Sequence, residues 1–187
     1  MPKKRSSTVT PESWWQLRIE LLSVDPRVWR RVFVPNTIVL PKLDRVIQLS
    51  MGWTNSHLHE FVIGGVRYGV PDPDFARELA HVDEKNVELK DALGANARSF
   101  DYVYDFGDDW HHAVLLEDPN ALSSKIQCVA GENACPPEDV GGSPGYERFL
   151  QAIADRKHAE HREMLDWVGG SFDPGQFDLV DVNRALA

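Results

Sequence analysis

The chain has 187 residues, a hydrophobic content of 42% and a formal net charge of −9 at pH 7. This length and composition allow one substantial hydrophobic core, so we expect a single domain over residues 13–187. The sequence has neither a run of about 18 apolar residues nor an apolar N-terminal stretch, which argues against a membrane protein and favours a cytoplasmic one. The acidic total disfavours a large phosphate-binding surface, although a local basic stripe is still compatible with nucleic acid.

The N-terminal segment, residues 1–12, is polar, basic and interrupted by proline. We interpret it as a disordered leader, because it lacks the apolar residues that would dock it on a core.

Two strands follow the leader. In residues 14–22 apolar and polar side chains alternate, which predicts a strand buried on one face. After a turn at Asp25-Pro26, residues 28–34 form the second strand of a hairpin. Arg27, Arg30 and Arg31 add positive charge here and are the candidate contacts for an anion or a nucleic acid.

The next segments predict a helix and a second hairpin. Apolar residues at helical spacing over residues 42–51 end at Gly52, and strand patterns over 57–63 and 66–70 flank a Gly-Gly turn. His57 and His59 are expected on the same face of the first strand. Two histidines at this spacing occur in metal sites, but they also commonly pack or hydrogen-bond inside a core.

Residues 71–87 are rich in proline and aspartate and predict an irregular loop, followed by a short helix over 87–93. Residues 100–117 then predict an aromatic hairpin with its turn at Gly107. Three carboxylates crowd the tip of this hairpin, those of Asp105, Asp108 and Asp109. They fit either a solvated turn closed by Asx hydrogen bonds or a cation site with His111 or His112.

Residues 128–142 contain prolines and glycines that predict a rigid loop without regular structure. Cys128 and Cys135 are the only cysteines of the chain, too few for a disulfide scaffold. They fit structural or redox thiols, one reversible disulfide, or metal ligands, although their seven-residue spacing is weak evidence for zinc. Glu138 and Asp139 add two carboxylates to the loop.

The remainder predicts three short helices, over residues 145–154, 160–168 and 178–186, with Trp167 on the inward face of the second. Asp178 is expected to cap the last helix. Together these elements indicate an α+β fold, in which a largely antiparallel sheet built from hairpins is covered by helices and followed by a helical C-terminal segment.

Five segments in the same order resemble the root-inducing (Ri) plasmid open-reading-frame-three-like family, whose members are also labelled insertion-sequence passenger proteins of TnpR type. They are Val28-Trp29-Arg30-Arg31, Gly52-Trp53-Thr54-Asn55-Ser56-His57-Leu58-His59-Glu60-Phe61, Tyr104-Asp105-Phe106-Gly107-Asp108-Asp109-Trp110, Cys135-Pro136-Pro137-Glu138-Asp139-Val140-Gly141-Gly142 and Phe172-Asp173-Pro174. The resemblance covers residues 14–186. It implies an α+β domain for which no reaction is established. It also implies that the gene occurs on mobile elements.

Three functions are compatible with these residues. The first is a non-catalytic binding or interaction module for a protein partner or a small ligand. The second is a metal-dependent hydrolase or nuclease, with a divalent ion as the candidate cofactor. The third is a DNA-associated accessory factor; a resolvase is not expected, because the sequence offers no helix-turn-helix. The candidate ligand or metal site comprises His57, His59, Asp105, Asp108, Asp109, His112, Cys128, Cys135, Glu138 and Asp139.

Overall fold

The computed structural model describes residues 13–71 and 81–187, so the predicted disordered leader, residues 1–12, lies outside the described residues. The strands are β1 (Trp14–Leu21), β2 (Trp29–Pro35), β3 (His59–Ile63), β4 (Val66–Gly69), β5 (Val82–Asp83), β6 (Ser99–Tyr104), β7 (Trp110–Ala121) and β8 (Gln127–Glu132). The helices are α1 (Leu40–Met51), α2 (Leu89–Leu93), α3 (Gly142–Ala154), α4 (His161–Trp167) and α5 (Leu179–Leu186). None of these described helices has both the length and the apolar character needed to cross a membrane.

The eight strands form one sheet in the order β5-β4-β3-β6-β7-β1-β2-β8. Neighbouring strands pair antiparallel, except β4 and β5, which pair in parallel. The predicted hairpins correspond to β1-β2, β3-β4 and β6-β7. The predicted α+β class is therefore confirmed, including the helical C-terminal segment.

The core lies against one face of this sheet. Alternate residues of β1 are buried, and they share a hydrophobic cluster with Leu43 and Ile47 of α1, which are both fully buried. Burying one such side chain stabilises the fold by about 1.5–3 kcal/mol. At the C-terminus, the Asp178 side chain accepts hydrogen bonds from Val180 N and Asp181 N and caps α5, as predicted.

Two predicted loops contain strands. Residues 128–132 were expected to be irregular, but they belong to β8, which pairs with β2 at the edge of the sheet. The expectation was wrong there because the prolines that cannot donate strand hydrogen bonds begin only at Pro136. Within the predicted loop 71–87, Val82–Asp83 forms the short strand β5, and residues 72–80 lie outside the described part of the chain.

Candidate functional site

The acidic turn after β6 contains two aspartates whose backbone has a left-handed conformation. Asp105 has a φ of 55° and Asp109 a φ of 56°, a region that Asp tolerates because its side chain hydrogen-bonds locally. Oδ1 of Asp105 accepts a hydrogen bond from Gly107 N at 2.9 Å, as expected for an Asx turn. The amide of Asp109 donates to the carbonyl oxygen of Asp105 at 2.6 Å. None of these turn bonds uses Oδ2 of Asp105.

The Cys-Pro-Pro-Glu-Asp loop, residues 135–139, is fixed to the segment that precedes β3. Oε1 of Glu138 accepts hydrogen bonds from Thr54 N at 2.8 Å and from Thr54 Oγ1 at 3.1 Å. The hydroxyl of Tyr104 donates to both Glu138 oxygens at 3.1 Å, and mainly burial raises the pKa of Tyr104 above its ordinary value. Trp53 Nε1 donates to the carbonyl oxygen of Pro136 at 3.0 Å. These bonds bring Asp139 beside His57.

Asp108 ties the acidic turn, residues 105–109, to Gly141, two residues after this loop. Its Oδ2 accepts a hydrogen bond from Gly141 N at 3.1 Å. Asp109 instead faces an exposed histidine, with its Oδ1 2.9 Å from His111 Nε2. Asp108 therefore holds the loop in place, and Asp109 remains at the surface.

His57, Asp105 and Asp139 form a group that we call the His57 cluster. Their ligand atoms all lie within 4.8 Å of one another. His57 Nε2 is 3.1 Å from Asp139 Oδ1 and 3.6 Å from Asp105 Oδ2. Nitrogen and oxygen ligands about 2.1 Å from one metal ion are about 3.0–3.5 Å apart, and the 3.1 Å and 3.6 Å distances from His57 are close to this range.

The Nε2 atom of His57 is buried and makes no hydrogen bond of acceptable geometry with any described residue, although the two carboxylates are close. A buried polar atom without a partner costs about 1–3 kcal/mol. A cation bound between the imidazole and the carboxylates would satisfy this nitrogen. The Asp139 side chain is 71% exposed, so the cluster is open to solvent on that side.

Unusual backbone conformations surround the His57 cluster. Asn55 and Asp139 have φ values of 60° and 59°, close to the 55° of Asp105. A left-handed residue with a β-carbon costs about 1–2 kcal/mol, and such residues concentrate at functional sites. Asn55, Asp105 and Asp139 thus have a backbone conformation that Asn and Asp adopt more readily than other residues with a β-carbon.

The prediction that His57 and His59 share a strand face is wrong, and the two histidines have different surroundings. β3 begins at His59, and His57 lies in the preceding bend. His59 is buried, with Nδ1 3.3 Å from Asp44 Oδ1 and Nε2 3.1 Å from Glu84 Oε1. Burial alone would lower the pKa of His59, but the hydrogen bond to Glu84 and the charge of Asp44 outweigh it and raise the pKa.

Asp44 belongs to the same buried network. The Tyr102 hydroxyl donates to its Oδ1 at 2.7 Å and accepts a hydrogen bond from Gln48 Nε2 at 2.8 Å. Burial raises the pKa of the Asp44 carboxyl, although His59 and Tyr102 act in the opposite direction. The network joins α1 to β3 and β6, so His59 serves the fold.

His112 is fully buried on β7 and does not reach the His57 cluster. Its Nδ1 donates to the carbonyl oxygen of Tyr102 at 3.2 Å, and its ring lies edge-on to Trp53 at 5.3 Å. Its Nε2 has no hydrogen-bond partner in the described part of the chain. Burial lowers the pKa of His112 to about 4. The ring is therefore neutral at physiological pH.

The two cysteines are free thiols outside the His57 cluster. Cys128 is buried on β8, and its Sγ donates to the carbonyl oxygen of Ala130 at 3.3 Å. Burial raises the pKa of both thiols, so neither is an activated thiolate in the metal-free protein. Within residues 13–71 and 81–187, the structure does not bring either sulfur into a three-ligand group.

The three candidate arginines have separate environments. Arg30 is buried and donates to backbone carbonyl oxygens, among them Ser50 O and Glu132 O at 2.8 Å; burial lowers its pKa. Arg31 pairs with Glu117, with Nε and Oε2 2.5 Å apart. Only Arg27 of the three is both exposed and without a carboxylate partner among the described residues. Within the described residues the three side chains therefore do not form one exposed basic surface, and contact with an anion or a nucleic acid stays a prediction.

Asp44, Glu84 and His81 were missed by sequence reasoning. His81 Nε2 lies 2.8 Å from Glu60 Oε2, a contact made by a residue of the predicted irregular loop. Asp44 and Gln48 are four residues apart in α1 and both are buried. This polar pair lies beside Leu43 and Ile47 and interrupts the apolar face of the helix. It is the one feature of the sequence that could have indicated the buried polar network.

Comparisons with known proteins agree with the shared motifs. The family described as "Plasmid pRiA4b ORF-3-like protein" matches residues 13–181. An uncharacterised protein of Sinorhizobium fredii, y4hQ, is 41% identical over 175 residues, which cover 91% of this chain and 89% of that protein. The crystal structure of a protein of unknown function, MM3350 from Methanosarcina mazei Go1, has a TM-score of 0.81 and 34% identity, and the match covers 92% of this chain and 98% of that one.

Proposed function

We propose that this chain, which belongs to the plasmid pRiA4b ORF-3-like protein family, is a binding module that holds a divalent metal ion in the His57 cluster. The observation that carries the proposal is the buried Nε2 of His57, which lies 3.1 Å and 3.6 Å from two carboxylate oxygens and has no hydrogen bond within residues 13–71 and 81–187. The names of the relatives assign no activity, so the proposal rests on this geometry.

The ligand set selects a class of metal. One imidazole nitrogen and two carboxylate oxygens suit Mn²⁺, Fe²⁺ or Zn²⁺ better than Ca²⁺, which takes six to eight oxygens, or Cu⁺, which prefers sulfur. Two carboxylates balance the charge of the ion, and three protein ligands leave coordination positions open. These open positions are where a small ligand or a partner side chain would bind.

Calorimetric titration of the purified, chelator-treated protein with MnCl₂ or ZnCl₂ tests the proposal. We expect one ion per chain and an affinity at least tenfold weaker in His57→Ala and in Asp139→Asn. His111→Ala is the matched control, because His111 also faces an aspartate but belongs to no three-ligand group among the described residues. Absent binding, or equal weakening in the control, would contradict the proposal.

A metal-dependent hydrolase is the second candidate. The open positions of a three-ligand site favour it, since a metal-bound water can act as a nucleophile. Glu138, the nearest further carboxylate on the loop, is already bonded to Thr54 and Tyr104, which argues against its use as a general base. Hydrolysis of bis(p-nitrophenyl) phosphate by the manganese-loaded protein, abolished in Asp139→Asn, would favour the enzyme over the binding module.

The proposal includes a cytoplasmic location and carriage on a mobile element. Two free thiols fit a reducing compartment, and the family description names a plasmid. Fractionation of the producing cells tests the location: the protein is expected with cytoplasmic markers, and recovery from a membrane or extracellular fraction would contradict it.

A further inference from the structure

A pocket of about 300 Å³ adjoins the His57 cluster. It lies between the Cys-Pro-Pro-Glu-Asp loop and helices α3 and α4, and Asp139 belongs to both the cluster and the pocket wall. This volume is at the lower end of the range for small-molecule sites. The lining residues that matter here are Asp139, Arg148, Phe149, Glu160, Met164 and Trp167.

Arg148 is a cation without a counterion in the part of the chain that the structure describes. Its side chain is exposed on α3 and lines the pocket. Its Nη2 atom is 3.8 Å from the position that a β-carbon on Gly145 would occupy. Such a β-carbon would also lie 2.0 Å from the carbonyl oxygen of Val140, so the glycine allows α3 to start directly against the loop. The same Nη2 atom is 4.0 Å from the position that a β-carbon on Gly141 would occupy, so the guanidinium group lies near the segment that joins this loop to α3.

An aromatic wall completes the pocket. Trp167 was predicted to face the core, but its side chain is 47% exposed and lines the cavity. Its ring meets Phe149 edge-on, with centroids 5.8 Å apart, and Met164 lies beside them in the wall. An exposed aromatic surface in the same pocket as an arginine that has no carboxylate partner among the described residues offers stacking to a flat ring and charge to an anion.

We propose that this pocket binds a small organic anion, a phosphate or carboxylate attached to a flat ring. The anionic group bridges the metal ion and Arg148, and the ring stacks on Trp167. This inference rests on the proposed metal site, because the ion supplies open coordination positions for the oxygens of the anion. A guanidinium group binds either anion through two parallel hydrogen bonds, and the neutralised ion offers its open positions to the same oxygens.

Calorimetric titration of the manganese-loaded protein with phenyl phosphate, benzoate and inorganic phosphate tests this inference. We expect an aromatic anion to bind more tightly than inorganic phosphate. Whether phenyl phosphate or benzoate binds more tightly shows whether the pocket takes a phosphate or a carboxylate. Arg148→Ala should weaken the binding of the tighter-binding probe at least tenfold. Trp167→Ala should lower its affinity to that of inorganic phosphate, because the stacking contact is lost. Arg162→Ala is the matched control, because Arg162 is exposed on α4 but does not line the pocket.

The outcomes separate this inference from the metal site. Stoichiometric manganese binding without binding of any probe would overturn the pocket proposal and leave the metal site standing. Probe binding that needs Arg148 but is unchanged by chelation would overturn the bridging arrangement. An equal loss in Arg148→Ala and Arg162→Ala would also overturn it. Circular dichroism of each variant confirms that a loss of binding is not a loss of fold.

Discussion

At the scale of residues, two neighbouring histidines have different environments, and only His57 belongs to the His57 cluster. His57 precedes β3 and faces Asp105 and Asp139, whereas His59 is buried between Asp44 and Glu84. The position at which the strand begins separates their roles, because side chains alternate only within the strand. The chemistry of the site therefore depends on the loops that hold His57 and Asp139.

Glu138 should control metal affinity without being a ligand. Its carboxylate holds the loop of Asp139 to Thr54 and Tyr104, so its removal frees a ligand. We expect Glu138→Ala to weaken manganese binding about 10–100-fold, the usual effect of losing a group that orients a metal ligand. Titration calorimetry measures this loss, and an unchanged affinity would show that the loop is held without Glu138. Glu147→Ala, on exposed α3 surface, is the control.

His112 should make the protein less stable in acid. Its pKa is about 4 when folded, against about 6.5 in the unfolded chain. Between these values the unfolded chain binds a proton that the folded chain does not, so the free energy of unfolding decreases as the pH falls through this window. The decrease attributable to His112 is about 3 kcal/mol.

Urea denaturation of the wild type and of His112→Gln at pH 7 and pH 4.5 measures this effect. His59 acts in the opposite sense, since its pKa is raised, and its contribution is present in both proteins and cancels in the comparison. We expect a smaller loss of stability on acidification in His112→Gln. An identical loss in the two proteins would contradict the assignment.

At the scale of elements, the start of α3 depends on close contact with the acidic turn. Gly142 has a φ of 67°, and a β-carbon there would lie 2.5 Å from the carbonyl oxygen of Asp108. Gly169 has a φ of 91°, but a β-carbon there would meet no described atom within 4 Å. We expect Gly169→Ala to cost about 1–2 kcal/mol of stability for the left-handed backbone alone.

Gly142→Ala should cost at least about 1 kcal/mol more than Gly169→Ala, because the backbone oxygen cannot move away as a flexible side chain would. Urea unfolding midpoints compare the two variants. If the two substitutions cost the same, the contact between the turn and α3 is looser than the structure indicates.

Arg30 joins β2 to both α1 and the end of β8. Its guanidinium donates to Ser50 O, Glu132 O and Asn133 O at 2.8–2.9 Å, and its Cζ lies 4.5 Å from the ring centre of Phe177. Arg30→Met leaves these carbonyl oxygens without donors, so we expect a loss of about 3 kcal/mol or more in the free energy of unfolding. Arg31→Met is the control.

Arg31→Met should cost less than about 1 kcal/mol, because the Arg31 and Glu117 side chains are partly exposed. Urea denaturation distinguishes the two arginines. Equal costs would show that Arg30 is no more important to the fold than a surface arginine.

For the whole molecule, the architecture could be predicted from sequence and much of the site could not. Alternation in β1 and the cap at Asp178 are local patterns, and both were confirmed. The convergence of His57, Asp105 and Asp139 depends on contacts between residues far apart in the chain, and no local pattern encodes it. Trp167 was misplaced because helical periodicity reports an apolar face but not whether another element covers it.

The distribution of charge predicts that the protein does not bind duplex DNA. The net charge is −9, Arg30 is buried and Arg31 is paired with Glu117. Fluorescence anisotropy with a short labelled duplex should show no binding at physiological salt. Binding that weakens steeply with added salt and with Arg27→Ala would instead support a DNA-associated accessory factor.

The most direct test of the central claim is a crystal of the protein soaked in MnCl₂ and measured for anomalous scattering. We predict one strong anomalous peak about 2.0–2.3 Å from His57 Nε2 and from one oxygen each of Asp105 and Asp139. A crystal with these side chains ordered and no anomalous peak among them, or with the peak at another site, would contradict the account.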